Sequence, residues 1–449
     1  FEQVTRNKHN LIQRIRKIPA FYSTWIDATH TVFFPDTHHA PSMGANAPTE
    51  IIGTYNDLSN IQLWLERVYE FSTNHSPQNF VLEQEAISLI EEHLSPTVNI
   101  PISKRSTIDS IENQIFELTE EQFSTLDMMA HFRQLKIAGG AGTGKTLLAV
   151  EKAKRLQAEG FRVLFCCYNR PLADEISLQL EDFEIDVDTF HQLCYRLASD
   201  ANLEIPALGF QSFNKLVALA WEALERPEIA GHYDAIIVDE GQDFYSEWWE
   251  ILQLCLKDGS EGVFYVFYDD NQQLYDTENI INLPNENTVM LTKNIRNTQN
   301  IHRLARSYYR GNAYTAGGPK GDPIEYLSAD SLFEAQERLR KLLHQLIREE
   351  GIKESDIVIL TGLNIDQSEL IDKKQIGPFL IKNLAQSHSD HIVFDSIRRF
   401  KGLDKPIVIL IELTQVMTAT ELLYVALTRA RSQLFVIGNE DVLRQVKNN

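Results

Sequence analysis

The sequence predicts an α/β protein with two parallel sheets, and three observations support this. Strand-length apolar stretches alternate with stretches of helical spacing from about residue 118 onward. These strands fall into two sets, at 135–138, 162–167, 233–238 and 262–268, then at 356–360, 391–394, 406–411 and 433–437. Several end directly in polar residues, as at Asp239 and Asp269. Open parallel sheets bind ligands at the carboxyl ends of their strands, so we expect the chemistry at that edge.

A smaller N-terminal α/β region is predicted for residues 1–117. Helical patterns occur at 10–18, 58–71 and 80–93, and 31–34 has the pattern of a strand. His38 and His39 are adjacent and point in different directions, so a surface loop explains them better than a metal site. Just beyond this region, Thr119 and Gln122 have the spacing of a helix N-cap with its capping box.

The stretch 136–149, KIAGGAGTGKTLLA, contains the complete pattern G-x-x-x-x-G-K-[ST]. It lies between a predicted strand and a predicted helix at 147–156, so the backbone amides of residues 142–146 can point into one concavity at a helix N-terminus. Lys145 would then reach the β- and γ-phosphates of a nucleotide, and the Thr146 hydroxyl would hold Mg²⁺. The alternative is a glycine-rich turn that binds nothing. The fixed Gly-Lys-Thr ending together with both flanks favours the phosphate loop.

Asp239 and Glu240 follow a predicted strand, where they would lie beside the phosphates. Phosphoryl transfer needs Mg²⁺ bound by one group and a water oriented or deprotonated by another, and we assign these roles to Asp239 and Glu240 respectively. An Asp-Glu pair alone is not specific. Its combination with the phosphate loop upstream and with Gln272, Arg296 and Arg429 downstream is.

Composition and charge restrict the class of protein. The 449 residues are 43% hydrophobic and 23% charged, and no apolar run approaches the length of a membrane span, so no membrane role is expected. The formal net charge of -21 argues against a protein that coats nucleic acid, because such binding needs many cations. A local basic track remains compatible with it. Two clusters could supply one, although solvated helix faces explain them equally well: Arg303, Arg306 and Arg310, then Arg398, Arg399 and Lys401.

Cysteine usage and the N-terminal sequence indicate a cytoplasmic setting. The four cysteines show neither a C-x-x-C pair nor another metal-ligand spacing, as is usual in a reduced compartment. The N-terminal residues are basic without the apolar core of a secretory signal. The chain begins at Phe1 and not at a methionine, so we expect a further segment upstream.

Nine motifs between residues 118 and 438 resemble those of superfamily 1 helicases of the UvrD type. They are LTEEQ, AGGAGTGKT, CYNRPLA, DTFHQL, VDEGQD, YDDNQQLY, NIRNT, FDSIRRFKGLD and YVALTRAR. The resemblance implies two RecA-like domains, which we place at 118–292 and 293–449. It also implies ATP and Mg²⁺ as cofactors, and single-stranded nucleic acid, with DNA expected, as the partner.

The resemblance also implies a role for each site residue. Gln122 would read the adenine edge, Gln272 would sense the γ-phosphate, Arg296 would bind it, and Arg429 would be the arginine finger. The remaining nucleotide contacts would be Gly142, Thr143, Gly144, Lys145, Thr146, Ile295 and, on the ribose, Asp404. The nucleic-acid contacts would be Asn169, Thr189, His191, Ser396, Arg398, Phe400 and Lys401.

Several residues depart from the family pattern. Ile295 replaces the aromatic residue that stacks on adenine, so we expect apolar contact there. The tryptophan that stacks on a base after the third motif is absent, with Thr277 near its place, so stacking would fall to Phe400 or Tyr275. Asp404 replaces the usual glutamate. Short spacings also leave no room for the large inserted domains of processive relatives, which weighs more against strand separation than against ATP hydrolysis.

A closer resemblance is to bacterial proteins that join a nuclease-related domain (NERD) to such a helicase. Residues 1–117 would then be the tail of that domain and its connector, although no nuclease core is visible in them. We therefore predict an ATP-dependent, DNA-stimulated helicase or translocase acting on single-stranded or partly duplex DNA. The alternative is an ATP-gated switch or loading subunit for an attached or partner nuclease, in antiviral defence for example, with little unwinding. An unrelated P-loop kinase is disfavoured, because it would not need Gln272 and two arginines from another domain.

Overall fold

The computed structural model describes residues 2–22, 28–39, 47–75, 86–87, 89–90, 103–205, 213–269, 287–312, 314–370, 375–386, 391–413 and 420–448. Contacts divide the chain into two units, Phe1–Pro101 and Ile102–Asn449. Among the described helices, none combines the length and the apolar character needed to cross a membrane.

The first unit is a small α/β region, as predicted. Its elements are α1 (Glu2–Ile15), β1 (Val32–Phe34), β2 (Ile52–Thr54) and α2 (Ile61–His75), with short 3₁₀ helices at Pro19–Phe21, Thr49–Ile51 and Tyr55–Asn60. Strands β1 and β2 pair in parallel, and the Trp64 ring packs edge-on against Phe33 with 5.0 Å between centroids. Most of the predicted helix at 80–93 lies outside the described residues.

The second unit begins with helix α3 (Lys104–Met129) and continues into a six-stranded sheet, all of whose pairs are parallel. Its strands are β3 (Gln134–Gly139), β4 (Val163–Cys167), β5 (Ile185–Thr189), β6 (Ala235–Val238), β7 (Val263–Tyr268) and β8 (Thr288–Leu291), in the spatial order β5-β4-β6-β7-β3-β8. The helices of this first-sheet lobe are α4 (Lys145–Ala158), α5 (Arg170–Gln179), α6 (Phe190–Asp200), α7 (Phe213–Leu224) and α8 (Ser246–Leu254), with 3₁₀ helices at Gly241–Asp243 and Gly259–Glu261.

The rest of the second unit forms a second-sheet lobe. A short parallel pair joins β9 (Lys293–Asn294) to β10 (Thr315–Ala316). The main sheet has the order β11-β17-β16-β12-β15-β14-β13, formed by β11 (Glu325–Ser328), β12 (Ile357–Thr361), β13 (Gln375–Ile376), β14 (Phe379–Lys382), β15 (Ile392–Ser396), β16 (Lys405–Ile411) and β17 (Ala430–Gly438). Its helices are α9 (Gln299–Arg306), α10 (Leu332–His344), α11 (Thr420–Thr428) and α12 (Glu440–Asn448), with a π-helical turn at Gln345–Glu349 and 3₁₀ helices at Glu354–Asp356, Ile365–Gln367 and Leu384–Gln386.

The predicted fold class is confirmed: the second unit contains two RecA-like α/β sheets, and the first unit is a smaller α/β region. Both faces of the first sheet are covered, since Leu164 and Ile236 pack into one core while Phe165 and Ile237 pack into the core on the opposite face. Coverage on both faces explains why these strands read as continuous apolar runs. One difference is local, because β13 pairs antiparallel with β14 at the edge of the second sheet.

Helix α3 is longer than the sequence indicated, and the assignment of Thr119 as its N-cap is wrong. The side chain of Ser103 caps the helix by accepting from the Ser106 amide. Thr119 lies in the interior, where its hydroxyl donates to the Ile115 carbonyl at 2.8 Å. A threonine inside a helix can satisfy its hydroxyl in this way, so the capping spacing had a second explanation. The helix is continuous through residues 117 and 118, where we placed a domain boundary; that boundary stays a prediction.

Helix α3 packs on both lobes of the second unit. Near its N-terminus, Ile108 is buried in the core on one face of the second sheet. Near its C-terminus, Leu126 and Met129 are buried in a core of the first sheet. One continuous helix therefore contributes apolar surface to both lobes.

Candidate functional site

The phosphate-loop pattern lies between β3 and α4, as predicted. Gly142 and Gly144 have φ of 77° and 84°, a region that side chains with a Cβ rarely adopt. A Cβ on Gly142 would also lie 2.2 Å from Oδ1 of Asn297, which belongs to the second-sheet lobe. The glycine is thus required both by the loop's backbone and by the close approach of the other lobe.

Lys145, at the start of α4, lies buried across the loop. Its Nζ donates to the carbonyl oxygens of Gly139 at 2.8 Å and Gly140 at 3.1 Å, and it lies 3.6 Å from Asp269. Thr143 is also directed back into the loop, since its hydroxyl donates to the Gly140 carbonyl at 2.8 Å. The loop therefore supplies its lysine with protein oxygens that phosphate oxygens could replace.

Asp239 and Glu240 follow β6 and are buried beside the loop. Glu240 has φ of 53°, a strained value for a residue with a side chain. The side-chain amide of Gln242 donates to the Glu240 carboxylate, and the backbone amide of Glu240 donates to Asp239 Oδ1 at 3.0 Å. Oδ2 of Asp239 is buried without a hydrogen-bond partner. The Thr146 side chain lies within hydrogen-bonding reach of the Asp239 carboxylate, so these two residues could hold a magnesium ion.

The two carboxylates differ in their electrostatic surroundings. Burial, and then the charge of Glu240, raise the pKa of Asp239 to about 7. Burial also acts to raise the pKa of Glu240, but the cations of Lys401, Lys145 and Arg429 outweigh it and bring the pKa below its usual value. Glu240 is therefore held ionised, as a residue that orients or deprotonates water must be.

Gln122, on α3, contacts the phosphate loop through its side-chain amide. Its Nε2 donates to the Thr143 carbonyl at 2.8 Å, while its Oε1 is buried with no hydrogen-bond partner. The amides of Ile295 and Arg296 both donate to the Gly142 carbonyl, at 3.0 and 3.1 Å. The open acceptor on Gln122 fits an amino group such as that of adenine. The Ile295 side chain is buried, and its predicted contact with adenine stays a prediction.

Both predicted arginines come from the second-sheet lobe and face the phosphate loop. A cavity of about 940 Å³ is lined by Lys145, Thr146, Glu240, Asp269, Arg296, Asp404, Arg429 and Arg431, among others. Arg429 donates to the carbonyls of Val425 and Leu403, each at 3.0 Å, and to the Thr428 hydroxyl. Arg296 instead pairs with Asp404 at 2.6 Å, and its Nε is buried without a partner. Both lobes thus bring cations to one cavity.

Asp404 is bound to arginines in this structure. Its Oδ1 accepts from Arg431 Nη1 at 2.6 Å, and its Oδ2 pairs with Arg296. Although burial opposes ionisation, Arg296 and Arg431 hold the pKa of Asp404 well below its usual range. The predicted ribose contact stays a prediction, and a nucleotide would share this carboxylate with two guanidinium groups.

Two residues predicted to contact nucleic acid bind protein groups across the lobes in this structure, and their nucleic-acid role stays a prediction. Lys401 Nζ pairs with the Asp243 carboxylate at 2.6 Å. Asn169 Nδ2 donates to the carbonyls of Lys401 at 2.6 Å and Arg399 at 3.3 Å. Asn169 and Asp243 belong to the first-sheet lobe, so these contacts bridge the cleft next to the acidic pair.

The proposed stacking role of Phe400 does not agree with the structure. Its side chain is 1% exposed and packs in a core of the second-sheet lobe, so no base can reach its ring. An apolar residue within the motif FDSIRRFKGLD could not be distinguished from an exposed one by sequence alone. The other proposed stacking residue, Tyr275, and the γ-phosphate sensor Gln272 lie outside the described residues.

The remaining predicted nucleic-acid residues lie at the carboxyl edges of the two sheets. Thr189 is buried and caps α6 by accepting from the Gln192 amide at 3.3 Å. His191 packs among aromatic rings, 4.5 Å from Phe213 between centroids. Ser396 is buried at the end of β15, whereas Arg398 is exposed. Arg398 is therefore accessible to a ligand, while Thr189 and Ser396 are not.

Sequence reasoning missed three residues that complete the site. Tyr424 Oη accepts from the Ala141 amide of the phosphate loop at 2.7 Å, which joins the lobes directly. Arg431 binds Asp404, and Glu112 on α3 binds Arg431. Tyr424 and Arg431 lie inside the motif YVALTRAR, so their positions gave a signal. Glu112 lies in no motif, and only the packing of α3 reveals it.

Comparisons with known protein families match this region. Residues 122–278 match a family model described as an AAA domain, and residues 391–437 match one described as a UvrD-like helicase C-terminal domain. The two matches agree with the resemblance to UvrD-type helicases, and together they cover less than half of the chain. They cover the phosphate loop and acidic pair in the first lobe, and Asp404 and Arg429 in the second. No curated protein matches the sequence significantly.

Solved helicase structures show a low level of similarity. An arterivirus nonstructural protein 10 helicase is 12% identical with a TM-score of 0.33, and the match covers 70% of this chain and 61% of that one. The PRRSV helicase is 14% identical with a TM-score of 0.37, covering 70% and 54%. The C-terminal domain of a possible DNA helicase from Lactobacillus plantarum WCFS1 is 16% identical with a TM-score of 0.27, covering 32% and 87%. The chain thus spans less than two thirds of either viral helicase.

Proposed function

We propose that this protein hydrolyses ATP to move along single-stranded DNA, and that it acts on single-stranded or partly duplex substrates. The observation that carries the proposal is the cavity between the lobes. There Lys145 and Thr146 of the phosphate loop, Glu240 of the acidic pair and two arginines from the other lobe line one space. A nucleotide bound between such lobes favours their closure, and hydrolysis then allows the lobes to open again.

In this proposal each side chain has one task. Lys145 exchanges its carbonyl partners for phosphate oxygens, and Thr146 and Asp239 hold Mg²⁺. The metal ion would neutralise charge on the transferred phosphoryl group. Glu240, kept ionised by nearby cations, orients the attacking water. Arg296 and Arg429 stabilise charge that develops on the transferred group.

Stimulation of the ATPase rate by oligonucleotides tests the proposal. We expect single-stranded DNA to raise the rate well above the rate with blunt duplex, and a single-stranded RNA of the same length tests the choice of DNA. The double variant Arg398→Ala with Lys401→Ala should lose the stimulation, measured as the ratio to its own rate without nucleic acid, because Lys401 also lowers the pKa of Glu240. A matched control removes two exposed cations of α10, Arg338 and Lys341, which lie outside the predicted track. If no nucleic acid stimulates the wild-type rate, or if the first double variant responds normally, translocation is wrong.

The second candidate function is the ATP-gated switch or loading subunit for a nuclease. One observation favours it: Lys401 and Asn169 bind protein groups across the cleft, as residues that report closure would. A fork-unwinding assay beside a single-strand translocation assay separates the two functions. ATPase activity without movement on DNA, combined with nucleotide-dependent binding of a nuclease, would support the switch.

A further inference from the structure

Four charged side chains form a continuous chain from helix α3 to the nucleotide cavity; we refer to Glu112, Arg431, Asp404 and Arg296 as the charge chain. Arg431 donates to Glu112 Oε2 through Nε at 2.8 Å and through Nη2 at 2.5 Å. Its third nitrogen, Nη1, donates to Asp404 Oδ1 at 2.6 Å. The other oxygen of Asp404 lies 2.6 Å from Arg296 Nη2. Charge signs therefore alternate along the chain, and each carboxylate or guanidinium in its interior has a partner on both sides.

The charge chain is largely shielded from water. Its side chains are between 18% and 25% exposed, which places these ion pairs in a medium where they are stronger than on an open surface. The Ser432 hydroxyl donates to the remaining oxygen of Glu112, so that carboxylate is fixed as well. The charge chain is thus anchored on α3 at its Glu112 end, and its other end, Arg296, lies in the nucleotide cavity.

We propose that Arg431, held by Glu112, is a positioning residue that sets where Arg296 stands in the nucleotide cavity. The proposal rests on the proposed function, in which Arg296 binds the γ-phosphate. Without Arg431, both oxygens of Asp404 would be available to Arg296, which would then be held more firmly to the carboxylate and away from phosphate. With Arg431 present, Asp404 offers Arg296 one oxygen in a fixed position.

The geometry requires an arginine at position 431. Its guanidinium contacts Glu112 through two nitrogens on one edge and Asp404 through the third. A rigid planar fork can bind two carboxylates at once in this way, whereas the compact ammonium group of a lysine acts as a point charge. We therefore expect Arg431→Lys to preserve the charge but to lose the defined orientation of Asp404.

Helix α3 gives the charge chain a second connection to the site. Glu112 and Gln122 lie ten residues apart on this helix, or about 15 Å along its axis. Gln122 binds the phosphate loop through the Thr143 carbonyl. One rigid element therefore contacts the loop of the first-sheet lobe and, through Glu112 and Arg431, the arginine of the second.

A double-mutant cycle in the full chain tests the inference, with steady-state ATP hydrolysis as the readout. Arg431→Gln should lower kcat by about tenfold, within the range of coupling energies between residues in one charged network. It should also divide its effect between kcat and KM as Arg296→Ala does. In the Arg296→Ala background, Arg431→Gln should cause little further loss, because the residue it positions is gone. Glu112→Gln should also lower kcat, by a smaller factor, and only when Arg296 is present. It takes the place of Arg431→Gln in the cycle if that variant does not fold.

Arg105→Gln is the matched control. Arg105 lies on the same helix and pairs with Asp356 of the second-sheet lobe at 3.2 Å, but it does not contact the charge chain. It should leave kcat unchanged. If Arg431→Gln and Glu112→Gln lose the same factor with and without Arg296, or if Arg105→Gln lowers kcat equally, the residues only stabilise the fold and the inference is wrong. Failure of the proposed function would appear separately: the wild-type protein would not hydrolyse ATP, or its hydrolysis would persist in Lys145→Ala.

Discussion

Glu240 combines three properties that rarely occur together in one residue: a left-handed backbone, a buried carboxylate and a pKa lowered by three cations. Backbone strain of this kind persists when the surrounding structure enforces it, and it is common at functional sites. The strained residue lines the same cavity as Lys145 and Thr146 of the phosphate loop. At the scale of single residues, Glu240 is thus the side chain most clearly shaped for a reaction.

Lys145 and Glu240 should therefore fail in different ways when replaced. Lys145→Ala should abolish hydrolysis and weaken ATP binding, because the ammonium group neutralises phosphate charge before and during transfer. Glu240→Gln should retain ATP binding and lose turnover, because the carboxylate acts on water. Equilibrium binding of a fluorescent ATP analogue beside single-turnover hydrolysis distinguishes them. Equal loss of binding in both variants would contradict these roles.

Arg429→Ala should lower kcat by about 10³-fold or more, the range given for arginine fingers. The side chain is buried and donates to two carbonyls and a hydroxyl, so its loss also leaves acceptors without a donor. Thermal unfolding of the same variant is therefore a necessary control, and Arg429→Lys keeps the charge. A normal kcat in a variant with a normal Tm would show that Arg429 has no part in turnover.

His302 should make stability depend on pH. Burial lowers its pKa, and Arg306 and Arg303 lower it further. As pH falls through the unfolded value of about 6.5, the unfolded chain binds a proton that the folded one does not, so stability decreases until pH is below the folded pKa. Each unit of pKa depression corresponds to about 1.4 kcal/mol. Denaturant unfolding from pH 7.5 to 5 should show a smaller decrease for His302→Leu than for wild type; parallel curves would disprove it.

At the scale of helices and strands, local patterns predicted the parts that bear motifs and missed those that depend on pairing. The strands β3, β4, β6 and β7 were recognisable because both faces are buried and their sequences are apolar throughout. The short strands β13 and β14 span only 2 and 4 residues, too few for a strand pattern to stand out although Ile376, Phe379 and Ile381 are buried in a core. The sequence pattern placed the start of α3 at Thr119, which is too late. Its first turns depend on the cap at Ser103 and on Ile108, which packs on the second sheet.

At the scale of the whole molecule, motif spacing predicted two α/β lobes, and several motif residues line one cavity because the carboxyl ends of parallel strands share an edge. It could not predict which side chains pair across the cleft. Lys401 pairs with Asp243 only because two sheets distant in sequence lie against each other. Asp404 pairs with Arg296 and Arg431 because separate segments of the chain meet within the second-sheet lobe. The burial of Phe400 was not visible in its motif either, because separate segments of the second-sheet lobe form the core around its ring.

Helix α3 also determines where this protein can be shortened. A chain that starts at residue 118, as the motifs would suggest, keeps Gln122 but loses the cap at Ser103, the apolar contact of Ile108 and the anchor at Glu112. We expect such a fragment to have a lower Tm and to aggregate, because removing a buried isoleucine alone costs about 2 to 5 kcal/mol. A fragment that starts at residue 103 should melt like the full second unit and keep its ATPase rate. Equal melting of the two fragments would contradict this. A boundary drawn at the first recognisable motif cuts through the middle of the helix, so fragments for expression and crystallisation should begin at its cap.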